Sequence, residues 1–117
     1  MNTIQQSSFF QINEEIPWEN VAPGIQRQIF GYDEKIMLAK VKFEKKAIGS
    51  LHTHYHSQAT YVESGVFELS IGNEKKILKT GDGYFVPPHV IHGCVCIEPG
   101  TLIDVFSPLR EDFLIAK

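Results

Sequence analysis

Residues 49–65 read GSLHTHYHSQATYVESG, with His52, His54 and His56 at every second position and Gln58 two further on. A polar run of this kind is either a turn between strands or a set of ligands, and the spacing alone does not choose. Side chains two apart on an extended strand point to the same side, so His52 and His54 would converge on one point. The reading therefore depends on whether the rest of the chain supplies strands, and on which other donors those strands bring to the same place.

Strands are what the punctuation of the chain implies. Gly24, Gly31, Gly49, Gly65, Gly72, Gly81, Gly93 and Gly100 fall at intervals suited to short strands, as do Pro87, Pro88, Pro99 and Pro108. In KIMLAKVKF, residues 35–43, Met37, Ala39, Val41 and Phe43 alternate with Ile36, Leu38, Lys40 and Lys42, the pattern of a half-buried strand. VFELSIGNEKKILKT, residues 66–80, reads as a hairpin: Phe67, Leu69 and Ile71 share one face, and Gly72-Asn73 supply the positive φ angles of a tight turn. Further strands are expected at GYFVPP, GCVCIE and TLIDVF. Helical periodicity is confined to one turn in EEIPWEN, opened by Pro17, and another near the C-terminus. Many short strands with regular turn signals imply an all-β sandwich or barrel.

The 117 residues suit a single domain with one core, divided into an N-terminal arm at 1–22, a barrel at 23–108 and a tail at 109–117. Hydrophobic residues at 43%, charged residues at 21% and a net charge of −3 describe an ordinary globular chain. Scattered Lys and Arg in a weakly acidic chain lack the basic stripe that phosphate binding needs, so nucleic acid is not an expected partner. Nor is a membrane, since no apolar run approaches the ~20 residues of a spanning helix. The opening MNTIQQSSFFQINEEIPWE has neither the basic start nor the apolar stretch of a secretory signal, and the expectation is a cytoplasmic protein. Cys94 and Cys96, two apart in HGCVCIE, sit near the upper separation a disulfide tolerates and are read as free thiols filling space.

On a β scaffold the histidines become candidate metal ligands. Divalent ions commonly take neutral imidazoles, and two from one strand need partners from elsewhere in the wall. His92 is the third, and Gln58 offers an amide oxygen as the fourth, leaving positions open on an octahedral ion for water or substrate. His56 and His89 fall in turns and are assigned to the surface or the rim of a pocket, with His56 as the reserve ligand in place of Gln58.

HTHYHSQATYVESG and GDGYFVPPHVIHG resemble the two motifs of the cupin superfamily. His52-x-His54, three residues, Gln58, six residues and Gly65 follow the first; Gly81 through Pro87 to His92 follow the second. Gln58 stands where cupins often carry glutamate, His89 where glycine is usual, Cys96 where asparagine is usual, and the opening glycine of the first motif is displaced to Gly49. Across nearly the whole chain, and most specifically in LIDVFSPLREDFL, the sequence looks like the small pectin-degradation cupins that open unsaturated uronates to linear keto acids. The resemblance implies a jelly-roll barrel (double-stranded β-helix), usually dimeric, holding one divalent ion. In that family three histidines and a glutamine hold the metal, which map onto His52, His54, His92 and Gln58, with one residue fewer here between the second histidine and the glutamine. An aspartate, a phenylalanine and an arginine line the active site there and correspond to Asp104, Phe106 and Arg110.

The residues themselves point the same way. In TLIDVFSP, Leu102, Asp104 and Phe106 occupy one face and Ile103 and Val105 the other. A carboxylate on an otherwise apolar face is costly to bury unless a cation or donor compensates, and a nearby metal centre would do so; otherwise this face is the solvent side of an edge strand. Arg110 either takes a substrate carboxylate through two parallel hydrogen bonds or pairs with neighbouring Glu111 or Asp112. The chemistry that the resemblance implies is a non-redox opening of a cyclic enol ether, with Asp104 moving protons, Arg110 holding the carboxylate and Phe106 shaping the wall. Nickel, iron, manganese and zinc all suit histidine and amide ligands. Two other classes use the same residues: a mononuclear metal dioxygenase, which would consume oxygen, and a non-catalytic sugar-binding cupin, which would bind without turnover.

Overall fold

The alternation of apolar and polar residues resolves into eight strands in a computed structural model, which describes residues 5–114. They are β1 (Glu19–Ala22), β2 (Ile25–Asp33), β3 (Ile36–Phe43), β4 (Ile48–His52), β5 (Ser57–Ile71), β6 (Glu74–Lys79), β7 (Gly83–Val86) and β8 (His92–Ser107). All pairings are antiparallel. The order is β1-β2-β3-β8-β5-β6, with β4 added to β8 and β7 to β5.

Two long strands make the barrel. The second half of β8 lies between β3 and the first half of β5, with Leu102 opposite Val41 and Val62. Its first half lies between β4 and the second half of β5, where Cys94 is opposite Gly49 and Leu69. Both strands therefore pass from one side of the sandwich to the other, and the ladder between them shifts register from Val62 to Phe67. This crossing is where glycine is required: Gly65 has φ +91°, and a Cβ on it would lie 2.7 Å from Gly100 Cα. A Cβ on Gly100 would in turn collide with the Ser64 carbonyl oxygen.

The same bend explains a difference from the sequence reading. GCVCIE and TLIDVF are not separate strands but parts of the 16-residue β8, because Pro99-Gly100 bends the chain without ending the ladder. The turn expected to open at Pro17 instead precedes it, as a 3-10 turn at Asn13–Glu15. A residue before proline is pushed out of the helical region, and Ile16 is extended at φ −103°, ψ 113°. At the β5–β6 hairpin the positive φ falls on Gly72 alone. The C-terminal turn is present at Glu111–Leu114.

The core packs Ile25, Phe43, Val62, Phe67, Leu69, Cys96 and Leu102, with Phe43 and Phe67 edge to face at 5.2 Å. Cys96 is wholly buried in it and Cys94 packs against it; both thiols are free. Burial pushes the Cys94 thiol up to about 12, so it is inert at neutral pH. Among the described residues no helix is long and apolar enough to cross a membrane.

Candidate metal centre

The strand registers converge three imidazoles. His52 ends β4 directly opposite His92, which begins β8, and their ring centroids lie 4.3 Å apart. His54 follows β4 at 5.5 Å from His52 and 4.8 Å from His92. One nitrogen from each of the three lies within 4.8 Å of the others. His52 and His92 line a cavity of about 240 Å³ whose wall also includes Gln58, Asp104, Phe106 and Arg110.

Each ring is fixed from behind. Nδ1 of His52 lies 2.9 Å from the Ser50 carbonyl, Nδ1 of His92 2.9 Å from that of Val90, and Nδ1 of His54 3.1 Å from that of His56. A carbonyl only accepts, so these contacts place the proton on Nδ1 and leave Nε2 with a free lone pair, the form a metal takes. Nε2 of His92 is buried and has no hydrogen-bond partner among the described residues. Burial, first, and then the neighbouring His52, His54 and Arg110 hold His92 down to about 4, so it is neutral at physiological pH. His54 is lowered too, chiefly by burial.

Gln58 adds a second feature that fits a cation. Its amide Nε2 donates to Thr60 Oγ1 at 3.0 Å and to Asp104 Oδ1 at 3.4 Å, which turns Oε1 toward His54 Nε2, 3.0 Å away. His54 thus faces an acceptor oxygen with each ring nitrogen, yet a neutral imidazole carries one proton. A cation that takes the Nε2 and Oε1 lone pairs resolves the conflict. The donor set therefore fits a divalent ion held by His52, His54, His92 and the Gln58 amide oxygen.

Asp104 stands one step behind. Ala39, Asp104, Thr60 and Tyr84 form one cross-strand row over β3, β8, β5 and β7, so Asp104 is on an interior strand and not at an edge. Thr60 donates to its Oδ1 at 2.6 Å. Burial pushes its carboxyl up to about 6, against the downward pull of Thr60, Arg110, Gln58 and Arg27. Phe106, in the next row opposite Gln58, is buried and meets the His54 ring edge to face at 5.8 Å.

Comparison with known proteins follows the same lines. The family described as cupin domain matches residues 39–106. The chain is a cupin. It is 48% identical over 105 residues to the pectin degradation protein KdgF of Dickeya dadantii, covering 88% of this chain and 96% of that one. Among solved structures, an RmlC-like cupin from Shewanella frigidimarina superposes with a TM-score of 0.91 at 46% identity, covering 93% of this chain and 98% of the other. KdgF from Halomonas sp. superposes at 0.86 with 42% identity, covering 92% and 99%. The cupin domain of Schizosaccharomyces pombe Cnp3, at 10% identity and a TM-score of 0.76, shares the fold alone.

Within this cupin two histidines sit differently from one another. His89 is exposed, at the surface as expected, with φ +67°, the left-handed conformation for which a cupin's second motif usually supplies glycine. His56 is not at the surface: it is 4% exposed, its ring stacked on Tyr55 at 4.0 Å and its Nε2 3.1 Å from the Leu109 carbonyl. The C-terminal segment folds over the turn that carries it, which no local pattern in HTHYHSQ announces. It lies outside the three-histidine cluster, and Gln58, not His56, reaches His54 Nε2.

Arg110 resolves toward one of its two expected partners. Its Nε and one terminal nitrogen bind Asp112 at 3.0 and 2.8 Å, while the guanidinium carbon lies 5.0 Å from the Phe106 ring centre and 4.2 Å from that of Phe113. The cavity also holds a residue the sequence reading passed over. Arg27 lies in GIQRQIF at an inward position between Ile25 and Ile29, the same charged-among-apolar signal that singled out Asp104.

Proposed function

We propose that this cupin opens unsaturated uronates, the products of polysaccharide lyases acting on pectin or alginate, to linear keto acids. The observation that carries the reading is Asp104, a buried carboxyl in the wall of the cavity lined by His52 and His92 of the three-histidine cluster, pushed by burial to about 6. Such a group both takes and gives a proton near neutral pH. The pectin degradation protein KdgF, close over almost its whole length, supports the substrate class.

The reaction moves protons and no electrons. As the ring C–O bond breaks, the hemiacetal hydroxyl loses a proton and becomes an aldehyde, and the alkene carbon gains one as the enol becomes a ketone. Asp104 takes the first proton and delivers the second. Thr60 and Gln58, both bonded to Oδ1, hold the carboxyl in place. Phe106 closes the apolar wall, and Arg110 adds positive charge at the mouth. His52, His54, His92 and Gln58 would hold a divalent ion, which would supply charge that polarises the sugar's oxygens.

Mixing the metal-loaded protein with unsaturated galacturonate tests this. Loss of alkene absorbance, appearance of the keto product and no oxygen uptake are expected. Oxygen consumption would replace the reading with a dioxygenase, and saturable binding without turnover would replace it with a sugar-binding protein.

A further inference from the structure

We propose that Arg27 is the carboxylate anchor of this cavity, an inference that rests on the sugar-acid reading above. Arg27 is opposite Val41 on β3, and Val41 is opposite Leu102 on β8; the adjacent row on the same face runs Ile29, Ala39, Asp104. Its backbone is therefore one row from Asp104, ~7 Å along the strands and two strands, ~10 Å, across them, a span a long arginine side chain reaches into. Its side chain is only 11% exposed and lines the cavity with His52 and His92.

What Arg27 leaves uncommitted decides its role. Its Nε donates to Glu19 Oε1 at 2.8 Å, and its guanidinium carbon lies 3.6 Å from the Phe113 ring centre. Its two terminal nitrogens make no hydrogen bond among the described residues. Arg110, by contrast, gives Nε and one terminal nitrogen to Asp112. Of the two arginines stacked on Phe113, Arg27 is the one with both terminal nitrogens available. A half-buried, ring-clamped guanidinium with idle donors matches a carboxylate, which takes two parallel hydrogen bonds from such a fork. In an unsaturated uronate the alkene carbon lies two bonds from the carboxyl carbon. A carboxylate seated on Arg27 thus presents the carbon to be protonated toward Asp104.

Binding of D-galacturonate and D-galactose by calorimetry, which needs no turnover, tests the anchor in wild type, Arg27→Gln and Arg27→Lys. Wild type should prefer the acid. Arg27→Gln should bind galacturonate roughly ten- to hundredfold more weakly, the loss of hydrogen bonds to a charged group, with galactose binding and metal content unchanged. Arg27→Lys, which keeps the charge and loses the fork, should fall between; it decides the matter if the glutamine variant loses its metal or its circular dichroism. Wild-type affinity for galacturonate in the folded variants, or no preference for the acid in wild type, would overturn the anchor. Failure of turnover on unsaturated uronates, with Arg27-dependent galacturonate binding intact, would sink the enzymatic reading and leave the anchor standing.

Discussion

His52 and His92 face each other as a cross-strand pair of β4 and β8, with ring centroids 4.3 Å apart. The pairing of β4 with β8 thus sets the distance between two candidate ligands, and His54 completes the cluster from the chain that leaves β4. Purified protein is expected to carry close to one divalent ion per chain. His52→Ala and His92→Ala should each lose it while the circular dichroism of the barrel is retained, because neither ring belongs to the hydrophobic core. Metal analysis showing equal content in wild type and both variants would remove the ligand assignment.

The strand pairing itself should tune the site. A Cβ on Gly93, the neighbour of His92, would lie 2.6 Å from the Gly49 carbonyl oxygen and 3.1 Å from the Leu51 amide nitrogen, both on β4. Gly93→Ala must therefore push β4 away from β8 beside the histidine pair. Metal affinity is expected to fall roughly tenfold or more, as for lost support of a metal ligand, although no ligand is altered. Competition with a chromogenic chelator measures it, and unchanged affinity would mean that β4 carries His52 along without moving its ring.

Asp104 makes stability depend on pH. Its folded carboxyl titrates at about 6, above the ordinary 3.8. Between those values the folded protein keeps a proton that the unfolded chain has released, so stability falls as pH rises through that window and stays lower above it. Two pH units at about 1.4 kcal/mol each make the cost on the order of 3 kcal/mol. Asparagine cannot ionise. Metal-free Asp104→Asn should accordingly be more stable than metal-free wild type at pH 8 and nearly equal to it at pH 4, as read by urea unfolding. A constant difference at both pH values would mean that the burial of Asp104 carries no such cost.

Most of this architecture was legible because it rests on alternation and turn chemistry. Met37, Ala39 and Phe43 are buried as their spacing in KIMLAKVKF implied, and the hairpin at Gly72 forms where expected. His52 and His92 converge through the pairing of β4 with β8, a long-range contact that the resemblance to the two cupin motifs anticipated, while His54 joins them from beyond the end of β4 and not by strand alternation. What escaped depends on contacts made across the chain. The continuity of β8 through Pro99-Gly100 is decided by partners on β3 and β5, not by the dipeptide itself. His56 is buried by Leu109, 53 residues away, and Arg110 is drawn to Asp112 by a fold of the C-terminal turn. Arg27 was legible in principle, since its inward position follows from the alternation in GIQRQIF, but only the cavity shows what it faces.

The proton-transfer role proposed for Asp104 separates from the wall formed by Phe106 in a paired substitution. Asp104→Asn keeps shape and still accepts from Thr60 and Gln58, so metal binding and substrate affinity should persist. A positioned proton-transfer group contributes ~10²–10⁴-fold, and the variant's kcat on unsaturated galacturonate is expected to fall by that order. Phe106→Leu leaves the titrating group untouched and opens space beside His54, 5.8 Å away, so its loss should be far smaller and lie mainly in KM. The rate of Asp104→Asn should lose the limb of the pH profile that wild type shows near 6, the value to which burial raises this carboxyl. Near wild-type turnover in the asparagine variant would dismiss Asp104 as the proton carrier and turn attention to the substrate's own hydroxyl. Loss of the metal in that variant would instead make Asp104 a support for Gln58, whose amide it accepts at 3.4 Å.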